Sequence, residues 1–124
     1  MKKDSKVVAI RGAITANKNS EKEILDKTKL LLRDILDKND IKTDQIISIL
    51  FTLTNDLNAV YPAKAAREIG ITEAALMCAQ ELPVPNSLEK CIRIMLHCYH
   101  PKKRVIKHIY LKEAKNLRPD LMEK

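Results

Sequence analysis

Ser20-Glu-Lys-Glu23-Ile24-Leu25-Asp-Lys-Thr-Lys-Leu30-Leu31-Leu32-Arg-Asp-Ile35-Leu36-Asp-Lys-Asn39 carries the clearest helix signal in the chain. Ser20-x-x-Glu23 has the form of a capping box, and Glu21 and Glu23 complement the positive end of a helix dipole. Ile24, Leu31 and Ile35, with Leu25, Leu32 and Leu36, return at helical spacing and make one apolar face. A helix with one such face must lay it on something, and the segments around it read as strands. Lys6 to Ala16 is rich in Val and Ile and closes at Asn17-Lys-Asn19. Ile46 to Thr54 is almost continuously apolar, the pattern of a strand covered on both faces. Ala74 to Gln80, Cys91 to His100 and Ile106 to Leu111 read as three further strands. Pro83-Val-Pro85-Asn-Ser87 forbids pairing and makes a turn, and Pro62 and Gly70 frame a short helix. The pattern predicts an α+β domain in which a mixed β-sheet packs on one long helix. One helix covers one face, so the other face needs a partner, most simply further copies of the chain.

Length and composition agree with this. A chain of 124 residues and 14.1 kDa is one domain, residues 1–124, with a real core and little left for a second module. A formal charge of +7 attracts anions at long range without naming them. Aromatic residues make up 3%, so a stacking platform for bases would rest on Phe51, Tyr61, Tyr99 and Tyr110 alone. The densest cationic groups, Lys2-Lys3 and Lys102-Lys103-Arg104, are too short for a nucleic-acid tail, and no nucleic-acid partner is expected. No apolar run approaches a signal peptide or a membrane span. Three cysteines, Cys78, Cys91 and Cys98, form no even framework, and the expected compartment is the cytoplasm.

The chemistry concentrates elsewhere. Alternation puts Arg11 with Val7, Ala9 and Ala13, small neighbours that leave its head room to reach a ligand. Lys64 and Arg67, three apart, share one side of the short helix. Glu81 and Arg93 flank the Pro/Asn turn, Arg93 alternating with Cys91 and Met95 on a partly apolar face. An arginine there meets either an anionic ligand or a sheet-edge carboxylate. Strict alternation turns Cys78 and Glu81 to opposite sides, and they share a site only if the chain bends near Gln80. Nucleophilic catalysis by Cys78 lacks a companion base. His97, Cys98 and His100 make a poor metal set, because i and i+3 on a strand project to opposite faces. The collection suits a small, multiply anionic ligand.

In this order, Val8-Ala-Ile-Arg-Gly-Ala13, Asp56-Leu-Asn-Ala-Val-Tyr-Pro-Ala-Lys-Ala-Ala-Arg67, Cys78-Ala-Gln-Glu81, Leu88-Glu-Lys-Cys-Ile-Arg93, and Tyr110-Leu followed by Leu117-Arg-Pro-Asp-Leu121 closely resemble the short monofunctional chorismate mutases of the Bacillus type. Any single motif is weak; five in register over nearly the whole chain are specific. The resemblance implies a homotrimer resembling a pseudo-α/β-barrel, with each active site between neighbouring subunits. It implies an isomerase of phenylalanine and tyrosine biosynthesis that rearranges chorismate to prephenate with no metal or cofactor.

By the same resemblance Arg93 faces the ether oxygen of the substrate, Glu81 and Cys78 hold its ring hydroxyl, and Arg11 and Tyr110 grip a carboxylate. Tyr61, Ala63, Lys64 and Arg67 match a wall supplied by the adjacent subunit, Leu76 and Met77 are further substrate contacts beside the cysteine, and Leu117-Arg118 belongs to a tail that closes the pocket. Three positions depart from the pattern: Tyr61 where Phe is frequent, Met77 where Thr is common, and Asn86-Ser87 in place of a glycine-containing turn. None removes a charge, and Asn accepts the left-handed backbone such a turn needs. The rival reading is a non-catalytic trimer of the same fold that binds a metabolite or RNA on its basic surface.

Overall fold

The computed structural model describes residues 4–117. Five strands, β1 (Ser5–Thr15), β2 (Ile46–Leu53), β3 (Ala75–Gln80), β4 (Cys91–Pro101) and β5 (Ile109–Leu111), form one mixed sheet in the order β3-β2-β4-β1-β5. β4 pairs antiparallel with β1 and β2, while β3 and β5 lie parallel on the two edges. Two helices, α1 (Glu21–Lys38) and α2 (Ala63–Glu68), accompany it.

α1 forms where its periodicity predicts. The Ser20 hydroxyl accepts the Glu23 N–H at 3.2 Å, one half of the expected capping box. Glu23 does not close the other half. Its carboxylate takes the Asn17 N–H at 2.7 Å instead, and that bond holds the carboxyl below its ordinary pKa. Ile24, Leu31, Leu32 and Ile35 are buried against Ile10, Ile14, Ile49, Phe51, Ile92, Ile94 and Leu96 from the sheet. Gly12 lets the helix come this close: a Cβ there would lie 2.8 Å from Ile35 Cδ1, 3.1 Å from Leu31 Cδ1 and 3.2 Å from the Ile109 carbonyl. α2 docks beside α1 through the ion pairs Lys29–Glu68 at 2.8 Å and Lys64–Glu21 at 3.7 Å. Gly70, at φ +99°, ends it.

Two expectations change. The last strand begins at Ile109 rather than Ile106, because the Asn39 side chain has claimed the backbone before it. Asn39 Oδ1 accepts the Lys107 N–H at 2.7 Å and Asn39 Nδ2 donates to the Lys107 carbonyl at 2.9 Å, which ties that residue to the end of α1. β2 is covered on one face only. Ile47 and Leu50 on its other face are more than a third exposed, and Met77 on the neighbouring strand is 67% exposed.

Candidate active site

The open face of the sheet takes its composition from strand register. Thr52 of β2, Arg93 of β4, Ala13 of β1 and Tyr110 of β5 lie side by side in one cross-strand row. The next row runs Met77, Leu50, Met95, Arg11. Tyr110 and Ala13 form a small apolar cluster with Cys91 and Ala114 on this face, apart from the main core. A 3₁₀ turn, Lys112–Asn116, carries Ala114 over it, anchored by the Glu113 N–H on Thr15 Oγ1 at 3.1 Å. Between turn and sheet a concavity of about 470 Å³ opens, lined by Arg11, Leu50, Thr52, Arg93, Met95, Tyr110 and Leu117.

Glu81 joins this face from the end of β3. Its backbone N–H donates to the Leu53 carbonyl at 2.8 Å, extending the ladder by one residue. Its carboxylate accepts from the Thr52 hydroxyl and lies 3.5 Å from Arg93 Nε. The sheet-edge carboxylate that Arg93 could meet is therefore Glu81. With the Arg93 side chain 46% exposed, that pair contributes little stability. What it does is orient: the Glu81 carboxylate braces the guanidinium at its Nε. Arg11 is fixed through its backbone, its N–H donating to His108 Nδ1 at 2.9 Å just before β5 begins.

The remaining candidates gather elsewhere. Tyr61 is 74% exposed and shares a second concavity, of about 610 Å³, with Leu53, Leu57, Val60 and Cys78. Cys78 pairs with Phe51, on the face of β3 opposite to Met77, and the register from Ala75 to Gln80 has no bulge. No bend interrupts the end of β3, so within one chain the Cys78 and Glu81 side chains leave it on opposite faces. Leu76 packs against the main core. Ala63 is buried at the start of α2, while Lys64 and Arg67 stand at its surface. Within the chain Arg11, Glu81, Arg93, Tyr110 and Leu117 form one group and Tyr61 with Cys78 another, while Lys64 and Arg67 stand on α2 outside the lining of either concavity. Arg118 lies outside the described residues.

Burial pushes the thiols of Cys91 and Cys98 up to about 11, which keeps both protonated near neutrality. Cys98 and His100 are buried, whereas His97 meets Ser48 on the open face. Among the described residues no group of three or more His, Cys, Asp or Glu could hold a metal ion. Thr52 and His108 were not singled out from the sequence. Thr52 could have been found only by knowing that it lies beside Arg93, and His108 only by knowing that β5 starts late.

The sequence also matches known proteins. Residues 7–121 match the family model described as chorismate mutase type I. The chain is 44% identical over 115 residues to the chorismate mutase AroH of Bacillus subtilis, covering 90% of each. It is 42% identical over 118 residues to that of Thermus thermophilus, covering 93% of this chain and 96% of the other. The fold superposes on a chorismate mutase from Clostridium thermocellum with a TM-score of 0.80 at 49% identity, over 87% of this chain and 97% of that one. No helix among the described residues is long and apolar enough to cross a membrane. With five motifs in order, an α+β sheet of matching topology and a match along nearly its whole length, this chain belongs to the type I chorismate mutase family.

Proposed function

We propose that the protein rearranges chorismate to prephenate at sites each assembled from two copies of the chain in a homotrimer. The observation that carries the shared site is the separation of the two residue groups. Neither concavity alone surrounds a dianion with cations, and joining the Arg11–Arg93 face of one copy to the Tyr61–Arg67 wall of another does so. The open face at Ile47, Leu50 and Met77 supports association, since it leaves apolar surface in water.

The reaction is an intramolecular Claisen rearrangement: the ether C–O bond breaks as a new C–C bond forms, and no proton is transferred. Catalysis then rests on two physical effects. Holding the flexible substrate in a chair-like conformer removes the entropy of reaching it. Negative charge grows on the ether oxygen as its bond lengthens, and a fixed cation there stabilises the transition state more than the ground state. Arg93 supplies that charge, braced by Glu81. Arg11 and Tyr110 hold a carboxylate, Glu81 reaches the ring hydroxyl, and Leu117 lies at the mouth. Lys64, Arg67, Tyr61 and Cys78 enter from the neighbouring copy. The weak, exposed Lys64–Glu21 pair gives way readily to a substrate carboxylate. Unpaired cysteines suit a reducing compartment, and we place the enzyme in the cytoplasm.

The test is loss of chorismate absorbance in ultraviolet light with purified protein in chelator. Turnover above the uncatalysed rate is expected. Folded protein without it would refute the proposal and favour the binding-only trimer.

A further inference from the structure

Asp56 lies outside the site, yet it holds the chain on which Arg93 is mounted. Ladder pairing between β2 and β4 ends at Leu53 and Ile92. Beyond it one backbone bond and the Thr54 side chain continue the pairing. The Thr54 N–H donates to the Cys91 carbonyl at 3.1 Å, and the Cys91 N–H donates to Thr54 Oγ1 at 2.9 Å. The Thr54 hydroxyl donates in turn to Asp56 Oδ1 at 2.6 Å. Both carboxylate oxygens of Asp56 accept the N–H of Lys90, at 3.1 and 3.0 Å.

Lys90 is the point of strain. Its φ of +48° is left-handed, a conformation that costs energy for any residue with a Cβ and persists only where its surroundings enforce it. The enforcement comes from two sides: Asp56 fixes its N–H, and its carbonyl accepts the Ala16 N–H at 2.8 Å. Three residues later stands Arg93. The exposed segment 82–89, without regular structure, carries Glu81 at its front end and returns to the sheet at Lys90. Asp56 therefore clamps the return of the loop whose two ends bear the paired carboxylate and guanidinium.

We propose that Asp56 is a positioning residue for Arg93, holding Lys90 left-handed so that β4 enters the sheet with the guanidinium aimed at the reacting oxygen. The inference rests on the role given to Arg93 above. Without the clamp Lys90 relaxes toward an ordinary backbone conformation, the start of β4 shifts, and the charge leaves its place. A displacement of about 1 Å in a preorganised site costs on the order of a hundredfold in rate. Substrate affinity falls less, because Arg11 and Tyr110 are mounted on other strands.

The test measures kcat and KM for Asp56→Ala and Asp56→Asn well below their melting temperatures, beside wild type and Arg93→Lys. Asp56→Ala is expected to lose roughly tenfold to a hundredfold in kcat with KM within about threefold, and Asp56→Asn, which keeps one acceptor oxygen, to fall between it and wild type. A lowered melting temperature with kcat intact would make Asp56 a structural tie only and overturn the proposal. So would a raised KM with kcat intact, which would assign Asp56 to the Tyr61 loop. If Asp56→Ala fails to fold, Asp56→Asn decides by the same split. Normal kcat in Arg93→Lys would overturn the role of Arg93 itself, whereas a poor Arg93→Lys beside a normal Asp56→Ala would overturn only the inference about Asp56.

Discussion

Replacing Arg93 with citrulline removes a charge and keeps the planar shape, so it isolates the electrostatic contribution of the side chain. Half a unit of negative charge developing about 3 Å from the guanidinium, at an effective dielectric of about 20, is stabilised by about 2.8 kcal/mol. That corresponds to about a hundredfold in rate, within the range found for loss of one preorganised donor. The neighbourhood pushes the effect upward. Glu81 lies 3.5 Å from Arg93 Nε, and without the cation its carboxylate faces the same developing charge uncompensated. At least roughly a hundredfold loss of kcat is therefore expected, with a smaller change in KM. Semisynthetic protein, assayed at saturating chorismate after its folding and oligomeric state are checked, reads this directly. A folded citrulline protein with kcat within about threefold of wild type would refute the electrostatic argument.

Arg67→Ala is expected chiefly to raise KM, because it serves the wall and not the reacting oxygen; steady-state kinetics with a lowered kcat and unchanged KM would contradict this. Gly12→Ala is expected to destabilise by about 1–3 kcal/mol, since its Cβ would press on Ile35, Leu31 and a backbone carbonyl that cannot yield, and a denaturant midpoint equal to wild type would contradict it. Stability is expected to fall as pH rises from 9.0 toward about 11, because Cys91 and Cys98 are held protonated by burial in the fold and ionise earlier in the unfolded chain. A Cys91→Ala, Cys98→Ala protein followed by denaturant melts should show a shallower decline over that window.

Much of this was legible in the chain. The capping serine and the apolar period of α1 are local signals, and α1 forms accordingly. Alternation assigned Arg11, Arg93 and Met95 to faces correctly, and Asn86 takes the left-handed backbone anticipated for its turn, at φ +66°. Pairing is not a local signal. No pattern in one sequence says that Thr52 lies beside Arg93, or that Ala13 separates Arg93 from Tyr110. The same gap hid the ends of two elements. β5 is short because Asn39, far away in sequence, takes the backbone of Lys107, and the 3₁₀ turn over Tyr110 has no periodicity long enough to read. Alternation turns Cys78 and Glu81 to opposite sides, but only the unbroken register of β3 shows that no bend undoes it.

The shared site is tested most directly by subunit complementation. One variant, Arg93→Ala, lacks the catalytic cation and keeps the wall; the other, Lys64→Ala with Arg67→Ala, lacks the wall cations and keeps Arg93. Each is expected to be nearly inactive at chorismate well below the wild-type KM. Unfolded together in equal amounts and refolded, they should form trimers in which about a quarter of the interfaces join two intact halves, restoring about a quarter of wild-type kcat/KM. A mixture no more active than the mean of its parts would contradict an active site built from two copies.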